Sequence, residues 1–383
     1  MKKLLALLLA FAMVFSMAAC KGNDDGGKKD DGKLDIGIIL PTKEEDRWLA
    51  DEAKFLELIK EKGYKADIMY SQASAATEQT NVEALIAKGI KVLIICPFDV
   101  QAAAATVKKA RDEGIKVISY DRLITGTDCI DYYVAFESVK IGEAMGQYLV
   151  DKAAEKGGSG HSLFLYSGAL TDNNSFSYFR GYWNALQPKI ADGTFVVRNS
   201  EVAMKYKDIY DITHEQLYEI MQSVDTEWEP KTAKTLAEAD LTKASAAEKE
   251  LCFVLAPDDN TGRAVADAFL ADADVKEYWL CGADGVEGSV QYIIDGKQDM
   301  TVYCNPEMIT TAAMDLASKL LKGEKVDAPE KVNNEKIDVP TLRSDVQTIT
   351  RDNIVKVFLE SGIYDKTKFT NFDGISDKVK PGK

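Results

Sequence analysis

The chain has 383 residues, with 62 acidic against 47 basic side chains and a net charge of −15. That balance excludes a nucleic-acid partner and a basic membrane-binding face, and it reads as a solvated acidic surface. The length exceeds what one hydrophobic core usually serves, so two domains are expected.

At the amino terminus Lys2 and Lys3 precede an apolar run over residues 4–17, which ends in Met17-Ala18-Ala19-Cys20. The run is shorter than the ~20 residues of a spanning helix, and small residues sit where a signal peptidase cuts. Residues 1–19 therefore read as a signal peptide absent from the mature protein. The cysteine at the cut resembles the lipobox of bacterial lipoproteins, which implies lipidation of Cys20; a chance cysteine behind an ordinary signal is the alternative. Two acyl chains hold a soluble domain stably at a bilayer surface. Residues 20–33, rich in Gly, Asp and Lys, have nothing to bury and read as a flexible tether between the anchor and the fold.

From Leu34 short β-rich runs alternate with helical stretches. Strands are predicted over 34–40, 65–70, 91–96, 116–120 and 132–136, with helices over 48–62, 77–88 and 101–113 ending at Gly63, Gly89 and Gly114. The pattern repeats as strands 162–167, 195–202, 251–256, 278–281 and 301–304 with helices 141–154, 175–189, 230–239, 261–271 and 286–295. A polar, poorly periodic insertion separates them over roughly 205–228. Near-continuous apolar strands joined by helices imply parallel sheets covered on both faces. Two doubly wound α/β units facing one another follow.

Ligands of such sheets bind outside the carboxyl ends of the strands. Here those positions are strongly polar: Arg47 and Trp48 follow the first strand, Asp121 and Arg122 the fourth, and Asp172 to Asn174 a later one. Asp258 and Asp259 follow Ala256-Pro257, and Asp284 follows Gly282-Ala283. Planar groups with fixed forks satisfy hydroxyls two at a time, and the C–H face of a pyranose packs on an aromatic ring. An uncharged sugar fits this inventory; an amino acid held by the arginines is the other ligand it would suit. The first loop lacks the glycine-rich turn of a phosphate site.

For catalysis the chain offers only His161 and His214, neither beside a nucleophile, and no GxSxG or HExxH. The adjacent Asp258 and Asp259 are the one pair that a glycoside hydrolase could use, and neighbours at a helix start point apart. Cys96, Cys129, Cys252, Cys281 and Cys304 form no CxxC pair, so neither a metal site nor a cofactor is expected. Cys96, Cys252 and Cys281 read as small buried hydrophobes rather than a disulfide network.

The segment 36–48, with its Arg-Trp, together with Tyr120-Asp121-Arg122-Leu123, resembles the periplasmic sugar-binding proteins of ABC importers, nearest the xylose-binding and multiple-monosaccharide-binding branch. The resemblance implies a type I periplasmic binding protein, with two α/β domains joined by a three-stranded hinge and closing over one aldose. It places domain one at 34–136 plus 305–337, domain two at 137–304 plus 338–365 and a tail at 366–383, with crossings near 136, 304 and 338. It implies sugar contacts from Arg47, Trp48, Asp121, Arg122, Asp172, Asn174, Trp228, Asp258 and Asp284, the two tryptophans sandwiching the ring. Asp258 stands where the family often has Asn, and Cys304 where it has Lys, departures that bear on hydroxyl preference. The implied protein is a monomeric, extracytoplasmic, lipid-anchored solute-binding protein. It would deliver galactose, glucose, xylose or arabinose to ABC permease subunits; the alternative is a sugar sensor serving a membrane kinase or chemoreceptor.

Overall fold

In the computed structural model, residues 32–375 are described. The expected signal segment, Cys20 and the tether up to residue 31 lie outside the described residues, as do residues 376–383. The first lobe begins with β1 (Ile36–Leu40), α1 (Asp46–Lys62), β2 (Ala66–Tyr70), α2 (Ala75–Ala87), β3 (Val92–Ile95), α3 (Ala103–Asp112), β4 (Lys116–Tyr120) and β5 (Tyr132–Phe136). These strands are parallel, in the order β2-β1-β3-β4-β5.

The second lobe opens with α4 (Ser138–Lys156), β6 (His161–Leu165), α5 (Asn173–Ala191), β7 (Phe195–Val197), α6 (Glu201–Lys205), α7 (His214–Met221) and α8 (Pro230–Lys243). It continues with β8 (Leu251–Leu255), α9 (Asp259–Ala271), β9 (Glu277–Asp284), α10 (Glu287–Ile294) and β10 (Met300–Tyr303). Its parallel order, β7-β6-β8-β9-β10, repeats that of the first lobe. In each lobe the order reverses beside the leading strand, and a crevice opens at that reversal.

The alternation of apolar residues explains why the strands are buried on both faces. Ile36, Ile38 and Leu40 of β1, with Val92, Ile94 and Ile118, join a large central core, while Ile39, Leu93, Ile95 and Val117 turn to a second core beneath α2 and α3. The second lobe divides likewise: Leu163, Phe253 and Cys281 face the central core, and Phe164, Cys252 and Leu280 face the opposite side. Cys96, Cys129, Cys252, Cys281 and Cys304 are all buried, and none of the five forms a disulfide.

The chain then returns to the first lobe as α11 (Pro306–Leu321), which packs on α1. The hairpin β11 (Glu330–Asn333) and β12 (Asp338–Ser344) follows, and β12 adds to the first sheet beside β5 with Thr341 opposite Tyr133. Only β13 (Gln347–Thr350) lies in the second sheet, antiparallel to β10. This corrects the expectation of a crossing near residue 338. The strand 338–344 belongs to the first lobe, where Val339 is fully buried in the core under α2 and α3, and the chain crosses after Ser344.

Two further expectations change. The strand predicted over 195–202 stops at Val197, because the Ser200 side chain accepts the Ala203 N–H and starts α6. The insertion is partly helical: Thr213 and Gln216 form a reciprocal capping box that starts α7. Against the central core, α4 and α5 cross closely because Gly142 and Gly181 meet; a β-carbon on Gly142 would collide with the carbonyl oxygen of Tyr178, and one on Gly181 with that of Val139. Gly142→Ala should therefore lower stability by about 3 kcal/mol, the upper end of overpacking costs. An unchanged urea midpoint would show that the helices can part freely.

Candidate functional site

The loops that follow β1, β4, β6, β8 and β9 converge on one narrow cavity between the closed lobes. Its walls carry all nine residues singled out above: Arg47, Trp48, Asp121, Arg122, Asp172, Asn174, Trp228, Asp258 and Asp284. Glu45 and Tyr178 join them.

Each side chain is aimed by its element. The first turn of α1 presents Arg47 and Trp48, which are 5% and 2% exposed. Asp172 and Asp258 are the N-caps of α5 and α9; Asp172 accepts the Asn174 N–H at 2.8 Å, and Asp258 accepts the Thr261 N–H at 3.0 Å. Asp121 (φ 61°), Trp228 (φ 61°) and Asp284 (φ 93°) all have left-handed backbones without being glycine. Such conformations persist only where surrounding structure holds them, and they gather at binding sites. At Asp121 the hold is visible: its N–H donates to the Val134 carbonyl at 2.7 Å, and its own carbonyl accepts the Tyr133 hydroxyl at 2.7 Å.

Two guanidinium groups organise the charges. Arg47 lies 2.9 Å from Asp121, 3.3 Å from Asp51 and 3.8 Å from Asp284, so it spans the cleft. Burial works against its charge, yet Asp51, Asp121 and Asp284 together outweigh that penalty and hold the proton more tightly than usual. Arg122 pairs with Asp172 at 2.7 Å and stands 5.5 Å over the Trp48 ring; Arg47 lies 4.8 Å from the same ring. Stacking of this kind holds the indole in place. Trp228 meets Tyr178 edge-on at 6.2 Å and lies against the backbone of Gly168. The indole N–H groups of Trp48 and Trp228 are buried with no well-formed hydrogen bond to the protein, although the carboxyls of Glu45 and Asp172 lie beside them.

The lobes are closed on each other over this cavity. Asn174 Nδ2 donates to Asp121 Oδ1 at 3.0 Å, the Leu123 N–H to Asn173 at 2.7 Å, and the Val100 N–H to the Thr171 carbonyl at 3.1 Å. At the mouth Arg263 reaches Asp46 at 3.0 Å.

Asp258 and Asp259, adjacent in sequence, part ways. Asp258 faces the cavity, whereas Asp259 turns inward and accepts from Gln298 at 2.6 Å, Thr301 at 3.0 Å and the backbone N–H groups of Gly285 and Val286 at 2.9 and 3.0 Å. Burial pushes its carboxyl up to about 7, against those donors. Asp259 thus fixes the loop that bears Asp284 and lies away from the ligand space.

Cys304 is buried and donates weakly to the Val302 carbonyl; burial, with Asp284 near, pushes its thiol well above the usual range. Glu45 and Tyr178 were not among the residues singled out from sequence. Tyr178 lies one helical turn after Asn174 on α5, a spacing that places both on one face. Among the described residues no group of acidic, histidine or cysteine side chains could hold a metal ion, and no helix is long and apolar enough to cross a membrane.

Comparison with known proteins agrees with this architecture. A profile of the periplasmic binding protein domain matches residues 36–325. A carbohydrate transporter solute-binding protein from Chloroflexus aurantiacus, solved in complex with D-glucose, is 51% identical over 89% of this chain and 99% of its own, with a TM-score of 0.86. The multiple sugar-binding periplasmic protein of Azospirillum brasilense is 27% identical, covering 88% of this chain and 91% of its own length. The D-xylose-binding periplasmic protein of Escherichia coli is also 27% identical, at 88% and 92% coverage. With two like lobes closed over one polar cavity and most of its length matched, the chain belongs to the periplasmic binding protein family.

Proposed function

We propose that this protein captures an aldopyranose outside the cytoplasmic membrane and hands it to an ABC sugar importer, while a lipid on Cys20 keeps it at the membrane surface. The observation that carries the reading is the cavity itself. Two indoles enter it from opposite lobes, and arginine, carboxylate and carboxamide forks surround them. Stacked rings suit the C–H faces of a sugar, and the forks suit its hydroxyls. The D-glucose bound to the 51% identical neighbour and the sugar-binding names of the relatives support it. In this reading Arg47, Asp121, Arg122, Asp172, Asn174, Asp258 and Asp284 hold hydroxyls, and Trp48 and Trp228 sandwich the ring. The protein acts as a monomer that opens and closes, the sugar favouring the closed form by as much as it binds that form better.

Calorimetry of the mature protein against glucose, galactose, xylose and arabinose tests the proposal. At least one should bind with a micromolar or tighter Kd, and Asp121→Asn should remove the heat of binding. Silence from all four sugars, or binding indifferent to Asp121, would sink the reading.

A further inference from the structure

The cavity carries more negative charge than its own cations balance. Five carboxyl groups line it, Glu45, Asp121, Asp172, Asp258 and Asp284, against the two guanidinium groups of Arg47 and Arg122. Both guanidiniums are committed, Arg47 to Asp51, Asp121 and Asp284, and Arg122 to Asp172. That leaves Glu45 and Asp258, which approach the same space from opposite lobes and have no ion-pair partner among the described residues. Closing the cleft brings these two acids together.

The two are not equivalent. Burial pushes the Asp258 carboxyl up, but the N–H groups of Asn260 and Thr261 at 3.2 and 3.0 Å and the Thr261 hydroxyl donate to it and favour its charged form. Glu45 is the N-cap residue of α1 yet makes no side-chain capping bond, so its carboxyl is free to turn to the cavity, beside the Trp48 indole. A neutral sugar such as the D-glucose of the 51% identical neighbour brings no charge to offset the surplus. A proton does.

Resting on the sugar-capture reading, we propose that closure over the ligand takes up one proton, carried by the Glu45 carboxyl opposite Asp258. The charged groups that bear on Glu45 are Arg122 behind β4, Asp258 at the start of α9 and Asp172 at the start of α5; Asp284 at the end of β9 is also coupled to it, and burial pushes that carboxyl well up against the pull of Arg47. Arg122, which is already shared with Asp172, and the Trp48 indole N–H oppose protonation. Burial first, and Asp258 and Asp172 further, push the Glu45 carboxyl from 4.5 up to about 8. In an open cleft the group returns to water and to its ordinary value. The sign follows: the closed form binds the proton more tightly, so affinity is greatest at low pH. It falls about tenfold per pH unit as pH rises between those two values, and levels off above the upper one.

Calorimetric titration of D-glucose in two buffers of different ionisation enthalpy, repeated from pH 5.5 to 8.5, reads this directly. The wild-type protein should take up close to one proton per glucose at pH 7, and Glu45→Gln should take up none and lose the pH slope. Glucose binding with no proton uptake by the wild type overturns the inference and leaves sugar capture standing, as does uptake that persists in Glu45→Gln. Tighter binding of 2-amino-2-deoxyglucose without proton exchange also overturns it, because the ligand's ammonium would then be the missing charge. If no aldose binds at any pH, both fall together. The wild-type proton count decides the matter even where the variant fails to fold.

Discussion

Replacing Arg47 by methionine should abolish sugar binding and destabilise the protein by about 3–5 kcal/mol, the cost of breaking a buried ion pair by removing one partner. Among the described residues Arg47 is the one cation that touches Asp51, Asp121 and Asp284, and the Asp51 side chain has no exposure at all. Without the guanidinium those carboxylates must stay charged in a dry site or take up protons. The closed form also loses its link from α1 to the end of β9. Arg47→Lys should be intermediate, since an ammonium is a point charge without the planar fork that reaches several acids at once. Urea denaturation and calorimetry on the same preparations check both halves. Wild-type stability in Arg47→Met would mean that the three aspartates hold one another by shared protons.

The second large effect is expected at a residue that has no side chain. A β-carbon on Gly168 would overlap three atoms of the Trp228 six-membered ring. The indole also meets Tyr178 and is only 9% exposed, so Gly168→Ala should force it out of place. We expect a loss of sugar affinity of about a hundredfold, about 3 kcal/mol, with a smaller loss of stability. Calorimetry gives the first and the tryptophan emission maximum reports the displaced ring. Wild-type affinity in Gly168→Ala would show that Trp228 is not a wall of the sugar site.

Much of this site was legible because position and chemistry coincide. In a doubly wound sheet the carboxyl ends of the strands define where a ligand goes, and Arg47, Asp121, Asp172, Asp258 and Asp284 each follow a strand that its apolar run made plain. What could not be read was direction. Asp258 and Asp259 are neighbours of one type, and only the packing of Gln298 and Thr301 shows that the second turns inward. Glu45 precedes the helix predicted from residue 48, and only the structure shows it as the N-cap of α1 with its capping bond not made. The hairpin of β11 and β12 was missed for a different reason. Pro340 argues against a strand inside a sheet, and β11 is a short, mostly exposed polar run, Glu330–Asn333. The third crossing, placed by the resemblance, was set too early.

The left-handed backbones at Asp121, Trp228 and Asp284 bear on how this protein can be improved. Each such position costs about 1–3 kcal/mol, and glycine would adopt the same angles at no steric cost. A selection for heat resistance alone would therefore be drawn to the very residues that line the cavity, and its winners would be robust proteins that no longer hold a ligand. Thermostable versions for use as sugar detectors should be sought with those three codons fixed, leaving the helices and outer loops free to vary.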